Sequence, residues 1–177
     1  MSLHSLYTVA YLEVSEMQMN WMQELRRKHD PHYTVVDPHF TLAFAVRGVE
    51  QGVYLDHIAT IASETRPISF HCKYAMLGAD NIDDTAYVFL VPDEGYSDLS
   101  LLHDRLYRGV LEPFHRLEFP YIPHISIAGM KDFKRAKRLC DELNSRGVHV
   151  HGQLASITTG FLKDGKFCHV QTFELAA

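Results

Sequence analysis

The sequence predicts an α+β fold. It reads as two pseudo-symmetric β-α-β-α-β units with mainly antiparallel sheets, helices on the outer faces and a central cleft. Three observations carry this. Short segments with the two-residue alternation of half-buried strands are interleaved with segments that space apolar residues three or four apart, as amphipathic helices do. The order of those segments runs through the chain twice. One strand pattern, a histidine after proline with a hydroxyl two positions on, occurs once in each half. Its two histidines, His39 and His124, are 85 positions apart in 177 residues.

In the first half, LYTVAYLEV has strand character, and Ser15 then starts a helix, with Gln18 completing a capping-box pattern. Val14, Met17, Trp21 and Leu25 form its predicted apolar stripe. HFTLAFAV is a strand, and EQGVYLDHIATIAS is a helix facing inward through Tyr54, Ile58 and Ile61. ISFHCKYAML and TAYVFLV make a hairpin around GADNIDD. In the second half, TAYVFLV is followed by a helix with Leu99, Leu102, Leu106 and Val110 on one face. HISIAG is the next strand. Asp132 then caps a helix bearing Phe133, Ala136, Leu139 and Leu143 and ended by Gly147. VHVHGQLASITTGFL and KFCHVQTFEL close the chain as a hairpin around Lys163-Asp164-Gly165.

Hydrophobic residues make up 46% and charged residues 22%, an ordinary globular balance. One bilobal domain over 1–177 is expected, with lobes of roughly 1–84 and 85–177, and a monomer. No apolar run approaches 18 residues, so no membrane span is expected. The first residues lack a basic region and a small-residue cleavage site and read as a strand, not a signal peptide. Cys72, Cys140 and Cys168 are odd in number, widely spaced and without a CxxC. They read as buried thiols in a reduced, cytoplasmic chain. The net charge of −5 argues against binding an extended nucleic-acid backbone, which needs a broad basic face. It leaves room for a small anion held by local donors.

Alternate residues of a strand share a face. In HFTLAFAV, one face carries His39, Thr41, Ala43 and Ala45, and the other Phe40, Leu42, Phe44 and Val46. In HISIAG, His124, Ser126 and Ala128 oppose Ile125 and Ile127. Each strand thus pairs a bulky apolar face with a small polar one suited to a cleft. With 12 histidines, roughly one His-x-Thr/Ser spacing is expected by chance from ordinary composition. There are three: His32/Thr34, His39/Thr41 and His124/Ser126. The specific part is that two fall on corresponding strands. His32 sits in a near-copy, Asp-Pro-His-Tyr-Thr, but Asp37-Pro38 cuts its strand short, because proline lacks the N–H a ladder needs. It is placed in a loop entering a short edge strand at 34–36.

The segments PHFTLAF and PHISIAG resemble the paired His-x-Thr/Ser signatures of the two-histidine (2H) phosphoesterase superfamily, which includes 2′-5′ RNA ligase-like proteins and cyclic phosphodiesterases. The resemblance implies a bilobal fold with both motifs facing one cleft. It also implies His39 and His124 as the catalytic pair, and Thr41 and Ser126 as holders of phosphate oxygens. The RNA ligase-like branch often has an arginine shortly after the second motif; here Ala128-Gly129-Met130 follow.

The chemistry stands beside that resemblance. Cleaving a phosphodiester takes a proton from the nucleophile and gives one to the leaving oxygen, and two imidazoles can do both without a metal or other cofactor. The expected ligand is a small cyclic-phosphate nucleotide, ADP-ribose cyclic phosphate or an RNA terminus. His124 is read as base and His39 as acid. Tyr121 is a candidate to stack on a base, and Arg47 to reach a phosphate. Two rivals stay open: a metal-dependent hydrolase using residues such as Asp37 and His39, and a non-catalytic nucleotide or RNA binder. Tyr11 reads as core, and the RRKHD segment at 26–30 as the polar end of a helix. His149 and His151 form a His-x-His pair of a kind that binds metal, but no carboxylate or cysteine spacing nearby completes a site.

Overall fold

The computed structural model describes residues 4–79 and 84–176. Its elements are β1 (Leu6–Tyr11), α1 (Glu16–His29), β2 (His39–Val46), α2 (Gln51–Ser63), β3 (Ile68–Ala79), β4 (Ala86–Glu94), α3 (Tyr96–Leu106), a 3-10 helix (Gly109–Phe114), β5 (Ile125–Met130), α4 (Phe133–Arg146), β6 (Val150–Leu154), β7 (Ser156–Lys163) and β8 (Lys166–Glu174). They form two four-stranded sheets, ordered β2-β1-β7-β8 and β5-β4-β3-β6. All six strand pairings are antiparallel.

Each sheet draws strands from both halves of the chain, so a sequence half is not a sheet. After α2 the chain does not return to β1; β3 pairs with β4, and the division near residue 84 falls inside that hairpin. After α4, β6 joins β3 and β7 joins β1. The stretch 148–162, expected as one strand, therefore breaks at Ala155 into β6 and β7, which serve different sheets. This exchange leaves β2 and β5, the two motif strands, at sheet edges and in contact with each other. α2 covers β7 and β8, and α4 covers β3, β4 and β5. α1 crosses from its own sheet to β5, and α3 crosses to β2.

Local signals account for most boundaries. The Ser15 hydroxyl accepts from the Gln18 N–H, the Glu50 carboxylate from Gly52 and Val53, and Asp132 from Arg135; each satisfies an orphan donor of a first helical turn. The capping box is incomplete, because the Gln18 side chain donates instead to the His149 carbonyl. The β7–β8 turn runs through Asp164 (φ 50°) and Gly165 (φ 71°), the left-handed pair that matches strand twist. Residues 80–83 of the other predicted tip lie outside the described ones.

Phe40, Leu42, Ile125 and Ile127 are all fully buried, as the alternation required. Phe40 packs edge-on to Phe70 of the other sheet at 5.2 Å. Burying such a side chain contributes about 1.5–3 kcal/mol. Phe44 departs from the alternation and is 41% exposed while Ala43 is buried, because register shifts against β1 insert extra residues into β2 and turn its later side chains over. α3 stops at Leu106, and the expected stripe residue Val110 sits exposed on the 3-10 helix.

The buried face of α1 is Gln18, Met22 and Arg26, one turn apart; the expected stripe residue Met17 points to solvent. Arg26, 2% exposed, is no polar helix end. Its guanidinium donates to the Asp30 carboxylate at 2.8 Å, to the His32 carbonyl at 3.1 Å and to the Val36 carbonyl at 2.7 Å. The Asp30 carboxylate also accepts the His32 N–H. Residues 31–35 wind around this group as turns, so the short edge strand expected at 34–36 does not form. A buried charge left unpaired is costly, so Asp30→Ala should lose about 3–5 kcal/mol of unfolding free energy in a urea titration. Glu24→Ala, which removes only exposed pairs, should change it by less than about 1 kcal/mol.

Candidate active site

Both motif histidines are held the same way. Asp37-Pro38-His39 and Ile122-Pro123-His124 place an X-Pro step before each ring. Proline fixes its own φ and extends its predecessor. The carbonyl two residues back then meets the ring: His39 Nδ1 is 2.7 Å from the Asp37 oxygen, and His124 Nδ1 is 2.7 Å from the Ile122 oxygen. A carbonyl only accepts, so Nδ1 carries the proton and Nε2 keeps a lone pair in each neutral ring. His39 Nε2 accepts from the Thr41 hydroxyl at 3.2 Å. Among the described residues, His124 Nε2 has no hydrogen-bond partner. Ser126, half-buried, lies opposite Phe89 of β4.

Both imidazoles titrate low. Burial pushes His39 down to about 4; the Asp37 hydrogen bond opposes this, while the charges of Arg26 and His124 add to it. Burial also lowers His124, opposed by its bond to Ile122. Each ring is neutral at pH 7 in the free protein, and His39 feels His124 directly.

The rest of the site comes from cross-strand neighbours that no linear pattern marks. Tyr11, read from sequence as core, pairs in register with His39. Its ring is edge-on to that imidazole at 6.3 Å, and its hydroxyl lies 2.8 Å from His169 Nε2. Phe89 stacks on His124 with ring centres 3.8 Å apart. A polar cavity of about 180 Å³ opens between Tyr11, Asp37, Phe167, His169 and residues 34–36.

Tyr121 does not present a free ring. One face lies parallel to His103 at 3.7 Å, and its hydroxyl donates to the Thr41 carbonyl at 2.9 Å. His103 Nδ1 donates to the Leu42 carbonyl, and the Phe44 N–H donates to the Tyr107 hydroxyl. The segment from 103 to 121 thus clamps the backbone of β2. Arg47 follows the last residue of β2, eight residues or roughly 26 Å along the strand from His39, so the strand carries it away from a phosphate held there. His32 is exposed in the turn. Cys72 and Cys140 are buried and Cys168 half-buried. Beside the clamp, His103, Asp104 and His115 bring potential metal-ligating atoms within 4.8 Å of one another. No helix of the described residues is long and apolar enough to cross a membrane.

Two antiparallel sheets, each delivering a His-x-hydroxyl strand at its edge, define the two-histidine phosphoesterase class. The chain belongs to the 2′-5′ RNA ligase superfamily, whose family model matches residues 14–158. A Bacillus licheniformis protein named "Putative phosphoesterase" is 28% identical over 106 residues, covering 58% of this chain and 59% of that one. Among solved structures, a Thermus thermophilus protein superposes with a TM-score of 0.65 at 18% identity, over 97% of both chains. Escherichia coli LigT complexed with NADP+ gives 0.57 at 14% identity, over 98% of both. Other LigT crystals hold 3′-AMP, ATP or phosphate.

The depressed His39 value has a measurable sign. Unfolded, the ring binds a proton near its ordinary 6.5; folded, it waits until about 4. The unfolded state therefore holds more protons between those values, and this contribution to stability falls as pH drops from 6.5 to 4 and is constant above 6.5. An NMR titration should find the His39 ring neutral at pH 5.5. His39→Ala should flatten the acid limb of a stability–pH curve.

Proposed function

We propose that the chain is a single bilobal domain that hydrolyses a cyclic phosphodiester: a nucleoside 2′,3′-cyclic phosphate, the same group at an RNA end, or ADP-ribose cyclic phosphate. The catalysis is by paired histidines and independent of metal. The observation that carries this reading is the matched tautomer lock, which leaves one Nε2 per lobe to handle one proton. Family membership supports phosphoester chemistry, and the nucleotides in LigT crystals support a nucleotide ligand.

His124 is the base, because its Nε2 lone pair is unoccupied. It takes the proton of a water as the oxygen attacks phosphorus. The bond from phosphorus to one ribose oxygen breaks, and that oxygen receives the proton of His39 Nε2, leaving a phosphomonoester. The negative charge of the bound phosphate raises the His39 value from its empty-site level and loads that proton. A protonated Nε2 no longer accepts from Thr41, so the Thr41 hydroxyl turns to a non-bridging oxygen, with Ser126 serving another. The cavity beside Tyr11 and His169 takes the nucleoside.

A general acid or base contributes roughly 10²–10⁴-fold to rate. His39→Ala and His124→Ala should each lose turnover of 2′,3′-cyclic nucleotides on that scale, with unchanged circular dichroism. His32→Ala should stay within a few-fold of wild type. Turnover should persist in excess EDTA with a bell-shaped pH profile. Loss on chelation with recovery in zinc or manganese would move the reaction to a metal hydrolase. Tight nucleotide binding unaffected by His124→Ala, with no turnover, would leave a binder.

A further inference from the structure

We propose that His71, His149 and His151, together with Glu94, form a second site that binds a divalent transition-metal ion of the zinc type. His149 and His151 are the His-x-His pair that lacked a partner in the sequence, and the sheet supplies it. In register, His71 of β3 lies directly opposite His151 of β6 on one side and Glu94 of β4 on the other. Directly opposed residues point to the same face of a sheet, so His71, His151 and Glu94 share one face of three adjacent strands. The His149 ring, just before β6, packs beside His71. The His71 ring centre is 5.5 Å from that of His151 and 5.9 Å from that of His149.

Two imidazoles on one zinc ion at about 2.0–2.1 Å hold their ring centres ~5 Å apart. The exposed His149 and His151 are free to rotate to that spacing, since among the described residues neither ring makes a hydrogen bond. His71 gives an independent sign: its Nε2 is shielded from solvent and has no hydrogen-bond partner. Such orphaned buried atoms are rare, and a bound ion is one of the few partners that satisfies them. Lys73 is ion-paired with Asp93 at 3.7 Å.

The site is not the catalytic one. From Glu94 to Phe89, which faces Ser126, is five residues or roughly 17 Å of strand. An ion there would tie the edge strand β6 to β3 and β4. The His103–Asp104–His115 group is the weaker candidate, with two imidazoles, one already bonded to the Leu42 carbonyl and stacked on Tyr121.

The test uses the full chain, free of any histidine tag and stripped with EDTA. Zinc is titrated by calorimetry, and cobalt(II) by visible absorption. The expected result is one saturable equivalent, tetrahedral cobalt bands and a thermal midpoint that rises with zinc. His151→Ala and His149→Ala should each weaken binding at least as much as the roughly 10–100-fold that an outer-shell loss costs. Both positions are exposed, and cooperative unfolding without metal would verify the fold. Hydrolysis of cyclic nucleotides by His151→Ala should equal wild type, so the metal result is read independently of the phosphoesterase reading. Absence of a saturable equivalent, or binding that survives the His149→Ala/His151→Ala double variant, overturns the site. Loss with His115→Ala instead does the same, by placing the ion at His103.

Discussion

An edge strand drawn into the middle of a molecule brings backbone groups that its own sheet cannot satisfy, and every such group needs a partner. The whole arrangement depends on meeting that demand at β2. His103, Tyr107 and Tyr121 bond to the Leu42 carbonyl, the Phe44 N–H and the Thr41 carbonyl. His103 stacks on Tyr121 and packs tilted against Tyr107, which stacks on His115, and this holds the donors and acceptors in place. β2 can then face β5 instead of solvent. The strand exchange between the halves leaves both motif strands at edges, and the crossing of α1 to β5 and α3 to β2 ties the two sheets together.

On that frame, two further devices set the imidazoles. The first is local: an X-Pro step returns a carbonyl to Nδ1 in both motifs, so the protonation pattern is decided by backbone geometry. The second is tertiary. The buried Arg26–Asp30 pair gathers the carbonyls of His32 and Val36 and thereby sets the path of the loop that delivers Asp37 and His39. Gln23, on the same helix, donates to the Asp37 carboxylate. Arg26 also helps lower the His39 pKa by its charge, so one residue links the loop path to the proton affinity of the ring.

Burial is what makes these rings sensitive to a ligand. In water an imidazole near 6.5 responds little to a nearby anion. Desolvated as they are here, the rings are held neutral, and under the proposed reading a phosphate between them would meet little dielectric screening.

The sequence by itself determined the motif strands, the buried faces of Phe40, Leu42, Ile125 and Ile127, the caps at Ser15 and Asp132 and the Asp164-Gly165 turn. These follow from the two-residue period of a strand and from hydrogen bonds a few residues apart, both local in the chain. Only the tertiary structure decided which strands share a sheet, because antiparallel partners distant in sequence are chosen by burial and not by spacing. That choice put Tyr11 beside His39, Phe89 on His124 and His71 beside His151. It also made Arg26 an interior residue, since a guanidinium reads as surface until the carbonyls and carboxylate that desolvate it are brought around it.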